Sequence, residues 1–133
     1  MPKILVIDDD ELFRLYLTTL LKRGGYEVHV LADGIKAEAV IEAGHFDAIV
    51  TDLYMPHVDG IEIVRSVKHS NPNLPVIGIS GGPMGFRDPC SKAMSVLGAD
   101  VVLTKPLDSA AFLTILRSAI DGAPQSSCIH SNS

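Results

Sequence analysis

Five positions in this chain carry groups that could handle a phosphoryl group if they met: Asp8, Asp9, Asp52, Ser80 and Lys105. Each lies at the end of an apolar run. Ile4-Leu5-Val6-Ile7 ends in Asp8-Asp9, and Ala48-Ile49-Val50-Thr51 ends in Asp52. Downstream, Val76-Ile77-Gly78-Ile79 ends in Ser80, and Val101-Val102-Leu103-Thr104 ends in Lys105-Pro106. Three carboxylates gathered at one place raise one another's pKa unless a cation intervenes. Ligation by carboxylates, a backbone carbonyl and waters suits magnesium rather than zinc, and such an ion neutralises charge on an incoming phosphoryl group. Asp52 is then the nucleophile, because a carboxylate can take a phosphoryl group as an acyl phosphate. Lys105 would pair with one phosphoryl oxygen and the Ser80 hydroxyl would donate to another.

The elements that must position these groups alternate strand and helix. A continuous apolar run over 3–8 predicts a strand buried on both faces. Phe13, Leu17, Leu20 and Leu21 at helical spacing predict a helix over 10–23, stopped by Gly24-Gly25. Residues 26–31 alternate as an edge strand would. Asp33 is expected to cap a helix carrying Ala37, Val40 and Ile41 and ending at Gly44. A third strand is expected at 47–51. A third helix opens at Asp59-Gly60, buries Ile63, Val64 and Val67, and closes at Asn71-Pro72. A fourth strand covers 75–80. The Gly/Pro-rich stretch 81–89 is expected to be a mobile loop, so that a short helix begins only near Cys90. A fifth strand at 100–104 precedes a last helix capped by Asp108 or Ser109 and bearing Phe112, Leu113, Leu116 and Ile120. This order predicts an α/β domain with a parallel sheet, right-handed crossovers and helices on both faces. Open sheets of this kind bind ligands beyond the carboxyl ends of their strands, so the four reactive ends should share one crevice.

Composition narrows the field. At 133 residues the chain is the size of one domain able to bury about two-thirds of the surface its unfolded form exposes. A net charge of −5 gives no general attraction to nucleic acid or an anionic membrane. Cys90 and Cys128 make neither a disulfide framework nor a zinc site. The start Met1-Pro2-Lys3-Ile4 has no export signal, and no apolar run approaches the roughly 20 residues of a membrane span. The expectation is a soluble cytoplasmic protein. Residues 1–121 are expected to form the domain and 122–133, small and polar, a disordered tail or truncated linker.

In order, spacing and residue type the chain resembles, over about 3–121, the receiver domain of two-component response regulators. The resemblance implies a flavodoxin-like, doubly wound five-stranded parallel sheet of order 2-1-3-4-5. It implies Asp8 and Asp9 as the acidic pair for Mg2+, Asp52 as phosphoacceptor and metal ligand, the backbone carbonyl of Tyr54 completing the metal shell, Ser80 as switch hydroxyl and Lys105 as the family's lysine. The phosphoryl group would come from a histidine kinase or phosphotransfer protein and be lost by hydrolysis. The domain would take part in its own phosphoryl transfer without being an enzyme in the ordinary sense. Output would pass to a downstream protein or a missing output domain, with a homodimer through the face of the helix after Cys90, the fifth strand and the last helix as one route. Ser80 would move toward the phosphoryl group and shift a two-state equilibrium. Three departures stand out. Val102 replaces the usual aromatic switch residue, the loop after Ser80 is about three residues longer than in the simplest relatives, and Tyr54 and Gly82 occupy positions that tune acyl phosphate lifetime.

Other readings compete. Asp10 and Glu11 read better as a helix cap and first-turn acid than as ligands, and Asp59 reads as a turn or cap. The five histidines share no ligand spacing. Cys90 at a helix start reads first as a packed residue, and Gly81-Gly82 is no Walker A loop. A haloacid-dehalogenase-like phosphatase also begins with a strand ending in acids, but Leu12 and the short chain fit it poorly. A receiver fold used only for docking or dimerisation is the remaining alternative.

Overall fold

The structure is a computed structural model that describes residues 1–52, 60–80, 101–104 and 107–122; at 60, 61, 80, 102 and 104 it describes the backbone. Five strands, β1 (Lys3–Ile7), β2 (Glu27–Leu31), β3 (Ala48–Asp52), β4 (Val76–Ser80) and β5 (Val101–Thr104), pair in parallel in the order β2-β1-β3-β4-β5. Four described helices connect or follow them: α1 (Glu11–Arg23), α2 (Ala37–Gly44), α3 (Gly60–Ser70) and α4 (Ser109–Ile120). The helix expected near Cys90 and the tail beyond 122 lie outside the described residues, as does part of the face expected to pair two copies.

The sheet separates two cores. Leu5, Ile7, Ile49 and Val76 face α2 and α3 through Ala37, Ile63, Val64 and Val67. Ile4, Val6, Val50, Ile77, Ile79 and Leu103 face Leu17 and Leu21 of α1 and Phe112, Ile115 and Leu116 of α4. Fully burying such a side chain contributes roughly 1.5–3 kcal/mol. β1 is buried through its last four residues and Asp8 follows it directly, so a one-residue slip would turn every apolar side chain of the strand to the wrong face of the sheet. The pairing Ile7↔Leu31 and Ile7↔Thr51 therefore fixes where Asp8 emerges.

Helix ends follow local chemistry. Asp10 is the N-cap of α1, its carboxylate accepting from the Leu12 and Phe13 amides at 3.0 and 3.3 Å. Asp108 caps α4 in the same way, accepting from Ala110 and Ala111 at 3.0 and 3.1 Å. Such caps are worth about 1 kcal/mol. The expected cap at Asp33 is not one: α2 starts at Ala37 behind Lys36, with no side-chain cap. Asp33 instead accepts from the Ile35 amide at 2.9 Å. Its short side chain closes a local turn two residues on, which competes with capping.

Gly44, the last residue of α2, has a steric reason to be glycine. A Cβ there would meet Cε2 of Phe46 at 2.3 Å. That ring is 9% exposed, lies under the Lys3 ammonium at 5.1 Å and meets the edge of His29 at 5.5 Å. Alanine would gain at most about 1 kcal/mol of helix propensity, less at a terminal position, whereas overpacking costs about 1–3 kcal/mol. Gly44→Ala should therefore lower the melting midpoint by about 3–10 °C in calorimetry. An unchanged or higher midpoint would show that the ring moves freely.

Candidate metal and phosphoacceptor site

The strand order places the site. From β1 the chain crosses to β2 on one side and then to β3 on the other, so α1 and α2 leave on opposite faces and a crevice opens above β1 and β3. Ligands bind at such switch points. Asp8 and Asp9 follow the end of β1, and Asp52 is the last residue of β3. One carboxylate oxygen from each of the three lies within 4.8 Å of the others.

Asp8 is 1% exposed and Asp52 7%, while Asp9 is open to solvent. Asp8 is fixed on three sides. Its amide donates to the Leu31 carbonyl at 3.1 Å, its Oδ1 accepts from the Asp10 amide at 2.8 Å, and its carbonyl accepts from the Arg14 guanidinium at 2.9 Å. Beside Asp52, the buried Thr51 hydroxyl donates to the Asp52 carbonyl at 3.0 Å. Both Asp8 and Asp52 make further interactions within the fold. The group also sits beside the N-terminal end of α1, where the helix dipole favours negative charge.

The donor set fits a hard divalent cation. Oxygens on an octahedral magnesium shell of about 2.1 Å radius are about 3.0 Å apart when adjacent and about 4.2 Å apart when opposite. A cluster spanning no more than 4.8 Å needs only small side-chain rotations to adopt that shell. Three carboxylates and no sulfur or imidazole argue against zinc.

The remaining expected residues are placed less fully. Asp52 pairs with Ile79, and Ser80 pairs with Thr104, so the Ser80 backbone reaches the same carboxyl edge, beyond the Asp52 partner on the next strand. Tyr54, the expected carbonyl ligand, and Lys105 lie outside the described residues, as does Gly82; Val102 is described at its backbone. Asp10 is a cap, as its sequence context implied. Arg14 and Thr51 were not anticipated as part of this region. Arg14 follows Asp8 by six residues, and a basic side chain near the start of α1, flanking the apolar stripe, was the available signal.

A doubly wound parallel sheet with an acidic cluster at its switch point defines an α/β module with a candidate cation site. Comparison with known proteins is specific. A family model described as the response regulator receiver domain matches residues 4–117. The chain is 34% identical over 123 residues to the response regulator MprA of Mycobacterium sp. (strain KMS), covering 90% of this chain and 51% of that protein. It thus spans about half the length of the curated relatives it matches. A response regulator receiver domain protein from Clostridium thermocellum superimposes with a TM-score of 0.82 at 29% identity, over 91% of this chain and 95% of that one. The receiver domain of the Francisella response regulator 1452 gives 0.81 at 29% identity, over 91% and 98%. The chain belongs to the response regulator receiver domain family. It is a receiver module of two-component signalling. Among the described residues no helix is long and apolar enough to cross a membrane.

Proposed function

We propose that this receiver takes a phosphoryl group on Asp52 from the phosphohistidine of a histidine kinase or phosphotransfer protein, in the cytoplasm, with magnesium at Asp8, Asp9 and Asp52. The observation that carries this reading is the convergence of three carboxylates from two adjacent strand ends to within 4.8 Å. When bound, the ion supplies positive charge that offsets the negative charge of the transferring group. An Asp52 carboxylate oxygen attacks phosphorus, the donor's P–N bond breaks, and its electron pair returns to the imidazole, which takes up a proton. Asp8 and Asp9 hold the cation, with the Tyr54 carbonyl as a further ligand. Lys105 and Ser80 take the phosphoryl oxygens, and Ser80 transmits the change to a partner or to an output domain. Residues 1–121 form this unit and 122–133 a tail or linker. Without magnesium, or with a chelator, no adduct should form when the chain is incubated with a small acyl-phosphate donor. With magnesium, intact mass should gain one base-labile phosphoryl group; turnover of the donor with no adduct at any time would favour a phosphatase.

A protein donor must bring its imidazole to a carboxylate that is only 7% exposed, so its surface must cover the rim of the crevice. On that rim the first two turns of α1 present Leu12 and Leu15, 77% and 63% exposed, with Tyr16 beside them. Exposed apolar side chains on the helix that starts beside the site fit a helix of the donor. Leu15→Asp should slow transfer from the phosphorylated protein donor about tenfold while leaving labelling by the small donor unchanged; equal loss with both donors would rule out docking there. Tenfold corresponds to about 1.4 kcal/mol, the scale of one buried leucine contact.

A further inference from the structure

We infer that Arg14 is a positioning residue for the cation site, an inference that rests on the magnesium reading given above. Its guanidinium donates to the Asp8 carbonyl at 2.9 Å from near the start of α1. Whereas the Asp8 amide is held by the Leu31 backbone and its Oδ1 by the Asp10 backbone, the contact to its carbonyl comes from a side chain of α1. The contact is half-buried, and Arg14 makes no ion pair among the described residues. Its guanidinium therefore works on the backbone of the Asp8-Asp9 turn rather than by neutralising a carboxylate. The same turn is closed from within, because Asp10 donates its amide to Asp8 and caps α1 with its own carboxylate. Arg14 ties the two ends of this arrangement together: the helix that begins at Glu11 reaches back past its cap to Asp8, the residue that follows β1.

Two opposite effects on the cation follow from one side chain. As a positive charge close to the acids, Arg14 repels a divalent ion; as an anchor, it holds the Asp8 backbone so that less ordering is needed when the ion binds. A charge-assisted hydrogen bond at 2.9 Å in a half-buried position outweighs a charge that solvent screens. The anchor should dominate. Removing Arg14 should then weaken magnesium binding, although the site becomes less positive.

Isothermal titration of the full chain with MgCl2 tests this. Arg14→Met should weaken affinity about tenfold, the lower end of what loss of a ligand-orienting partner causes. Arg14→Lys, which keeps the charge and one donor but not the rigid fork, should lose about threefold. Both losses should persist when NaCl is raised from about 0.15 to about 0.5 M, because screening removes Coulomb effects and not the hydrogen bond. Tighter binding by Arg14→Met would show that only the charge matters. Unchanged affinity with a lower melting midpoint in chelator would show that Arg14 merely secures the helix. Either result overturns the inference. If Arg14→Met does not fold, the comparison of Arg14→Lys with the parent decides, and equal affinity overturns it. A parent chain that binds no magnesium removes the site reading and this inference together, whereas parent binding matched by both variants removes the inference alone.

Discussion

Asp52→Asn should abolish the phosphoryl adduct while leaving the fold intact. An amide oxygen does not form an acyl phosphate, and loss of an enzyme nucleophile reduces rate on the order of 10⁴–10⁶-fold. The neighbouring acids are poor substitutes. Asp8 is nearly fully buried, with Oδ1 committed to the Asp10 amide at 2.8 Å. Asp9 is exposed, so water competes with it for any electrophile. Asp52 ends the central strand of the sheet, between β1 and β4, and so lies under the middle of the crevice. Intact mass after incubation with magnesium and a small phosphodonor should show the parent labelled once and Asp52→Asn unlabelled. Persistent labelling of the variant would assign the nucleophile elsewhere.

The second large effect is a reversal of stability order. In Asp9→Asn one of three carboxylates within 4.8 Å becomes neutral. At that separation each like-charge pair costs about 1 kcal/mol even in a water-like medium, so relief of two pairs should stabilise the cation-free chain by about 1–2 kcal/mol. In magnesium the parent gains more. A ligand present at a hundred times its dissociation constant stabilises by about 2.7 kcal/mol, and loss of one charged ligand should weaken binding on the order of a hundredfold, removing most of that gain from the variant. Asp9→Asn should melt above the parent in chelator and below it in excess magnesium. The same order in both conditions would mean that the acidic group does not hold the ion.

How far these residues could be read in advance depended on the kind of interaction involved. The strands were legible because burial on both faces leaves continuous apolar runs, and a run's end marks the sheet's carboxyl edge; Asp8 and Asp52 were visible for that reason. The α1 stripe of Phe13, Leu17, Leu20 and Leu21 matched a helix of which Leu17 and Leu21 are buried and the other two half-buried. Asp33 failed as a cap because Asp bonds its own backbone two residues on as readily as it caps a helix, and sequence does not tell the two apart. The tie from Arg14 to a backbone carbonyl was hidden for a different reason: the acceptor is present at every residue, so no pairing of residue types announces it. Leu12 and Leu15 are apolar like the stripe beside them, and only the angle around α1 shows that they face out.

The most direct measurement is a high-resolution crystal structure of the chain grown in MgCl2. The account predicts one six-coordinate ion at the β1–β3 switch point, with oxygens of Asp8, Asp9 and Asp52 in or one water away from its shell at about 2.1 Å for direct ligands. An ion bound elsewhere, or three carboxylates turned apart with no ion between them at saturating magnesium, would contradict it.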